Sequence, residues 1–278
     1  MQAATLDGLQ RLLATPTLRT AVLSPLESPD LNDLLTCIET AIERSYTEFT
    51  GLRPEDLVPL PPNVAASTIT PRLDRWGALL GCNPLLLGAT TTNNASVLFE
   101  EGSESSLRLG INLWLRGDEV AWRGLAALAL ARKALGGVMV RALTAEELDL
   151  ALAASFETAK VFNAITADPD SRRLREISAL FTKQLGRRQR KTLLRVCHSL
   201  ASTNFEPTTT ARGTLASDLR MAAILSGDVS GCLSAACLLD GFANGSLKQR
   251  ISFSRNAQEL IVFLLSDVFL NLREIAIA

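Results

Sequence analysis

Leu31, Leu34, Leu35, Ile38, Ala41, Ile42 and Phe49 recur at the i, i+3, i+4, i+7 spacing that lines one face of an α-helix. Asp30 or Asn32 supplies a capping side chain at its start, and Gly51 places its end. A short helix from Leu6 to Leu13 precedes it. Four prolines between 52 and 70 mark a connector, because proline sustains neither a helix nor a central strand. From 71 to 115 the pattern changes to short runs broken by Gly, Asn and Pro. Within it, Ser96–Phe99 and Leu107–Leu113 alternate as strands do and predict a small antiparallel sheet.

Beyond Gly117-Asp118 the chain turns helical. Glu119 to Leu135 is apolar nearly all round, which predicts a buried helix rather than an amphipathic surface one. Thr144 with Glu147 forms a capping box opening a helix to about Ile165. Further helices are expected over 170–185, 188–201, 211–226, 228–240 and 256–273. The Thr208-Thr209-Thr210 and Thr90 to Asn94 runs read as loops. The expected fold class is α+β and predominantly α-helical, with a small antiparallel sheet beside a buried central helix. Residues 1–30 are expected to be an extension, and 31–278 a single domain.

Composition narrows the chemistry. The chain is 47% hydrophobic, enough for a sizeable core, and only 5% aromatic, which favours helices over a sandwich or barrel. Its apolar runs stop well short of the roughly 20 residues a membrane span needs, so a soluble, cytoplasmic protein is expected. Cys37, Cys82, Cys197, Cys232 and Cys237 form no CxxC pair and read as buried reduced thiols. His198 is the single histidine, so one chain cannot build a two-histidine zinc site. Cys197 and His198 are adjacent on a helix and diverge by about 100°, so they do not form an acid–base pair.

Four stretches carry a family likeness. They are Leu34–Phe49 followed by Gly51-Leu52-Arg53-Pro54-Glu55; Leu107-Arg108-Leu109-Gly110 followed by Gly117-Asp118-Glu119-Val120; Asp218 to Asp228; and Ala257 to Ile275. Together they resemble the C-terminal domain of tetratricopeptide-repeat proteins of myxobacteria and their relatives. That domain is itself similar to a degenerate H-E-x-x-H zinc metallopeptidase of the prenyl-protein peptidase type. The likeness spans residues 31–275 and implies a zincin-like layout. A zincin helix needs two histidines at i and i+4 with a glutamate as base. The corresponding stretch, Trp122 to Ala131, contains no histidine, carboxylate or cysteine, and Thr214, Leu215 and Ala216 stand where a third ligand is due. The resemblance therefore implies a pseudo-peptidase with no catalytic residue, no metal and no cofactor.

Function is then expected to lie in surfaces. Residues 172–195 hold nine basic side chains against one acid, Glu176, in a chain whose net charge is -1. Arg187, Arg188, Arg190 and Lys191 are the candidate partner-binding residues, and a protein partner is expected. Nucleic acid is the less favoured partner, because Phe181 is the only ring there for base stacking. A second alternative is a small-molecule binder or enzyme using a pocket near Asp218, Arg132 and Arg212. Without a histidine to orient, Asp218 is expected to cap a helix or pair with Arg132 or Arg212, and Asp228 to cap the helix that follows it.

Overall fold

A computed structural model of the chain describes residues 6–15, 17–45, 57–58, 70–82, 85–90, 96–101, 104–161, 172–203 and 206–277. The chain is predominantly helical, with one small sheet. Among the described residues no helix is long and apolar enough to cross a membrane. Two compact units are present, each discontinuous in sequence. The first comprises Met1–Val22, Pro54–Leu135 and Leu215–Ala278; the second comprises Leu23–Arg53 and Gly136–Thr214.

The first unit is organised around one helix, Glu119–Leu135, the sixth in chain order (α6). Every residue from Gly124 to Arg132 is buried. Alanines at 121, 126, 127, 129 and 131 keep the helix thin, so that neighbours approach from several sides. Those neighbours are α4 (Thr70–Leu80), two strands and α11 (Val229–Leu239). The approach of α11 is set by two glycines. A Cβ on Gly124 would lie 2.0 Å from the carbonyl oxygen of Gly231, so only glycine fits there. Trp114 and Trp122 meet edge to face with centroids 5.1 Å apart. Their indole N–H groups donate to the Gly88 and Leu113 carbonyls at 3.3 Å.

The sheet differs from the antiparallel one expected. Its order is β1-β2-β4-β3, formed by β1 (Leu57–Val58), β2 (Leu85–Thr90), β4 (Glu104–Gly110) and β3 (Ser96–Glu101). The outer pairs are antiparallel, but the central pair β2/β4 is parallel, with Leu87 opposite Leu107. The reason lies in β4. Leu107, Arg108 and Leu109 are all buried, on both faces, which suits a central position and a parallel neighbour rather than a half-solvated hairpin. The strand also ends at Gly110, and Ile111–Arg116 is a short helix, α5, where the alternation predicted continued strand.

In the second unit, α3 (Pro29–Arg44) packs on α8 (Arg172–Gln184), α9 (Arg187–Leu200) and a 3-10 turn at Val140–Ala142, while α7 (Ala145–Ala159) packs on α8 and α9. The apolar stripe of α3 is buried as its spacing predicts: Leu34, Leu35, Ile38, Ala41 and Ile42 have no solvent exposure. Its cap is Ser28, whose Oγ accepts from the Leu31 N–H at 3.1 Å, with Pro29 in the first turn. Asp30 and Asn32 are taken elsewhere: Asp30 accepts from Ser199 Oγ at 2.6 Å, and Asn32 points inward. The Thr144–Glu147 capping box is present. That helix stops at Lys160, whose left-handed φ of 55° ends the turn.

Three other expectations are corrected. Thr208-Thr209-Thr210 lies inside α10 (Pro207–Ser226), because Pro207 opens the helix one turn earlier than the apolar pattern does. Thr90 ends β2, and 91–95 lie outside the described residues. The closing stretch is two helices, α13 (Arg255–Leu264) and α14 (Asp267–Ile277). The Leu265-Ser266 turn separates them, with Ser266 Oγ accepting from the Phe269 N–H at 3.3 Å. Phe49, Gly51 and most of the proline connector lie outside the described residues.

Candidate functional site

The region where the resemblance places a catalytic centre is packed with ion pairs. Asp218, with no solvent exposure, accepts from Arg132 Nε at 2.9 Å. Arg132, one of the two arginines the sequence offered, is thus a partner of Asp218. Ten residues further on, Asp228 caps α11 by accepting from the Gly231 N–H at 2.9 Å, and it also accepts from Arg123 Nε at 2.8 Å. Each carboxylate is thus held by a guanidinium of α6. Arg123 lies near the start of that helix and buried Arg132 in its last turn, with only glycine, alanine and leucine between them. Among the described residues no group of three or more His, Cys, Asp or Glu side chains is placed to hold a metal ion.

Arg187, Arg188, Arg190 and Lys191 occupy the first turns of α9, and all four are exposed. They sit there because the helix is strongly amphipathic: Leu193, Val196, Cys197 and Leu200 are buried beneath them. Among the described residues no acid is ion-paired with any of the four. Elsewhere on this surface the pairing is loose. Arg172 meets exposed Glu176 one turn away at 2.7 Å, and Arg195 lies 3.9 Å from Asp33. Such exposed pairs contribute little and leave the surface positive. Arg188 also lines a cleft of about 290 Å³ with Asp33, Thr36, Cys37, Gln189 and Thr192. There Cys37 donates to the Gln189 carbonyl at 3.3 Å, and burial pushes its thiol up. His198 is exposed while Cys197 is buried, so the two diverge as helical geometry requires.

Sequence reasoning missed three polar features of the interior. Arg141 lies buried against Glu27 and Asn32, which are more than 100 positions away. Glu39 accepts from the Met139 and Val140 N–H groups at 2.8 and 3.0 Å, and burial, opposed by these bonds, raises its carboxyl to about 7. Arg250 is buried beside an exposed aromatic pair. Only Glu39 left a trace in the sequence: it occupies an i+4 position from Leu35 on the apolar stripe. Compared with known proteins, the chain matches no protein family, no curated protein and no solved structure.

Proposed function

We propose that this chain is a non-catalytic, cytoplasmic protein-interaction module that docks an acidic segment of a partner on the basic face of α9. The observation that carries this reading is the set Arg187, Arg188, Arg190 and Lys191. Four cations are held on one rigid helix, exposed, with no ion-paired acid among the described residues. Exposed Leu194, at 42%, adds an apolar anchor one turn on. Clustered positive charge with a fixed spacing speeds encounter with an acidic segment and selects its register. The interior supports a scaffold role, since Arg132 and Arg123 neutralise the carboxylates nearest the expected catalytic helix. A zincin-like ancestry with the ligand set lost is the origin we propose for that arrangement. Five buried free cysteines are consistent with a reducing compartment.

The test is fluorescence anisotropy of an acidic peptide against the purified chain and against a variant carrying Arg187→Glu and Lys191→Glu. Both positions are exposed, so the variant is expected to fold normally. The expected result is salt-sensitive binding by the parent and loss of about tenfold or more in the variant. No binding at low salt, or tighter binding of duplex DNA than of the peptide, overturns the reading. Stoichiometric zinc on the purified chain would overturn its non-catalytic part.

A further inference from the structure

Arg250, in α12 (Leu247–Phe253) of the first unit, is only 8% exposed. Among the described residues its Nε has no hydrogen-bond partner, and no carboxylate is ion-paired with it. A buried cation without a counter-charge is unfavourable unless something supplies one. The nearby acid does not. Asp240, which acts on the Cys237 thiol from the same neighbourhood as Arg250, spends its oxygens elsewhere. It accepts from Ser254 Oγ at 2.7 Å, from the Asn256 N–H at 3.0 Å and from Asn256 Nδ2.

The same arginine lines an open cleft of about 320 Å³ with Phe242, Asn244, Gly245, Gln249 and Phe253. The two rings lie 5.9 Å apart, tilted by 33°, and Phe253 is 69% exposed. Large apolar side chains at that exposure beside an unmatched buried charge form a two-part surface, one part for an anion and one for an apolar body. Gln249 does not compete for the arginine, because its Oε1 accepts from the Ser246 N–H and Oγ in the capping box of α12. The volume is at the small end of ligand sites.

We propose that this cleft binds a carboxylate carried on an aromatic or branched apolar body. Arg250 holds the carboxylate by charge-assisted hydrogen bonds, and Phe242 and Phe253 cover the body. Two sources share this chemistry, a free small acid and the last residue of a polypeptide. The site is independent of the basic face on α9.

The experiment is calorimetric titration of the full chain with 3-phenylpropionate, its primary amide, and an acetylated tripeptide ending in a free phenylalanine carboxylate. The acid is expected to bind saturably, and the amide at least about tenfold more weakly. Arg250→Met is expected to lose that discrimination while melting no earlier than the parent, since it removes an uncompensated charge. Phe253→Ala, at an exposed position that does not threaten the fold, is expected to weaken both carboxylates. A tighter tripeptide assigns the site to chain ends, and equal binding assigns it to small acids. Equal affinity for acid and amide overturns the proposal. So does an absence of binding up to about 10 mM, or unchanged affinity in Phe253→Ala.

Discussion

Arg141 and Glu27, 114 positions apart in sequence, meet as an ion pair with neither side chain exposed to solvent. Arg141 Nη1 also donates to Glu27 Oε2 at 3.3 Å and to the Thr214 carbonyl at 3.5 Å, and Nη2 donates to Asn32 Oδ1 at 2.6 Å. The pair therefore ties together segments of the second unit that are distant in the chain. Removing one partner leaves the other charged and buried, so Arg141→Met is expected to cost about 3–5 kcal/mol. The double variant Arg141→Met with Glu27→Gln is expected to recover much of that. Chemical denaturation of the three proteins checks it, and a double variant no better than the single one would remove the pair from the account.

At the crossing of α6 and α11, Gly124 faces a backbone carbonyl rather than a side chain that could turn away. In an open helix Gly→Ala gains up to about 1 kcal/mol. Here the added methyl forces the helices apart, and Gly124→Ala is expected to lower stability by about 1–3 kcal/mol or more. A thermal melt decides the sign.

Glu39 gives the second unit a pH dependence near neutrality. Its carboxyl is raised from 4.5 to about 7, chiefly by burial and with a smaller push from Glu43. The folded state therefore holds a proton that the unfolded chain releases. This contribution is fully present below about pH 4.5 and is lost as pH rises through about 7, amounting to about 3 kcal/mol. Glu39→Gln is expected to flatten that slope between about pH 4.5 and 7, as read from urea midpoints across the range.

Asp228 combines two roles, capping α11 and neutralising Arg123. Asp228→Ala is expected to cost about 1–2 kcal/mol, more than a cap on an exposed helix. Asp228→Asn keeps the cap and loses the charge, so its stability is expected to fall between those of the parent and the alanine variant.

Burial pushes the Cys197 and Cys232 thiols up to about 12. At pH 8 they stay protonated, and thiolate is the reactive form. Neither is expected to be labelled by iodoacetamide until the chain is unfolded in denaturant, as peptide mass spectrometry would show. Rapid labelling of Cys197 in the native protein would mean that α9 opens readily.

Helices whose signals are local were legible from the residues alone. The stripe from Leu31 to Ile42, the Thr144–Glu147 box and the all-apolar run of α6 each encode their element within a few residues, through spacing, a cap or continuous apolarity. The exposure of Arg187, Arg188, Arg190 and Lys191 was legible for the same reason, because Leu193, Val196 and Leu200 fix which face of α9 turns inward. The insertion of β4 between β2 and β3 came from the folded chain, since strand order depends on what covers each face. So did the pairing of Asp218 with Arg132, that of Arg141 with Glu27, and the burial of Arg250 beside two phenylalanines. Charge and apolarity along the chain state which groups need partners or cover, whereas the folded path determines which groups come within reach.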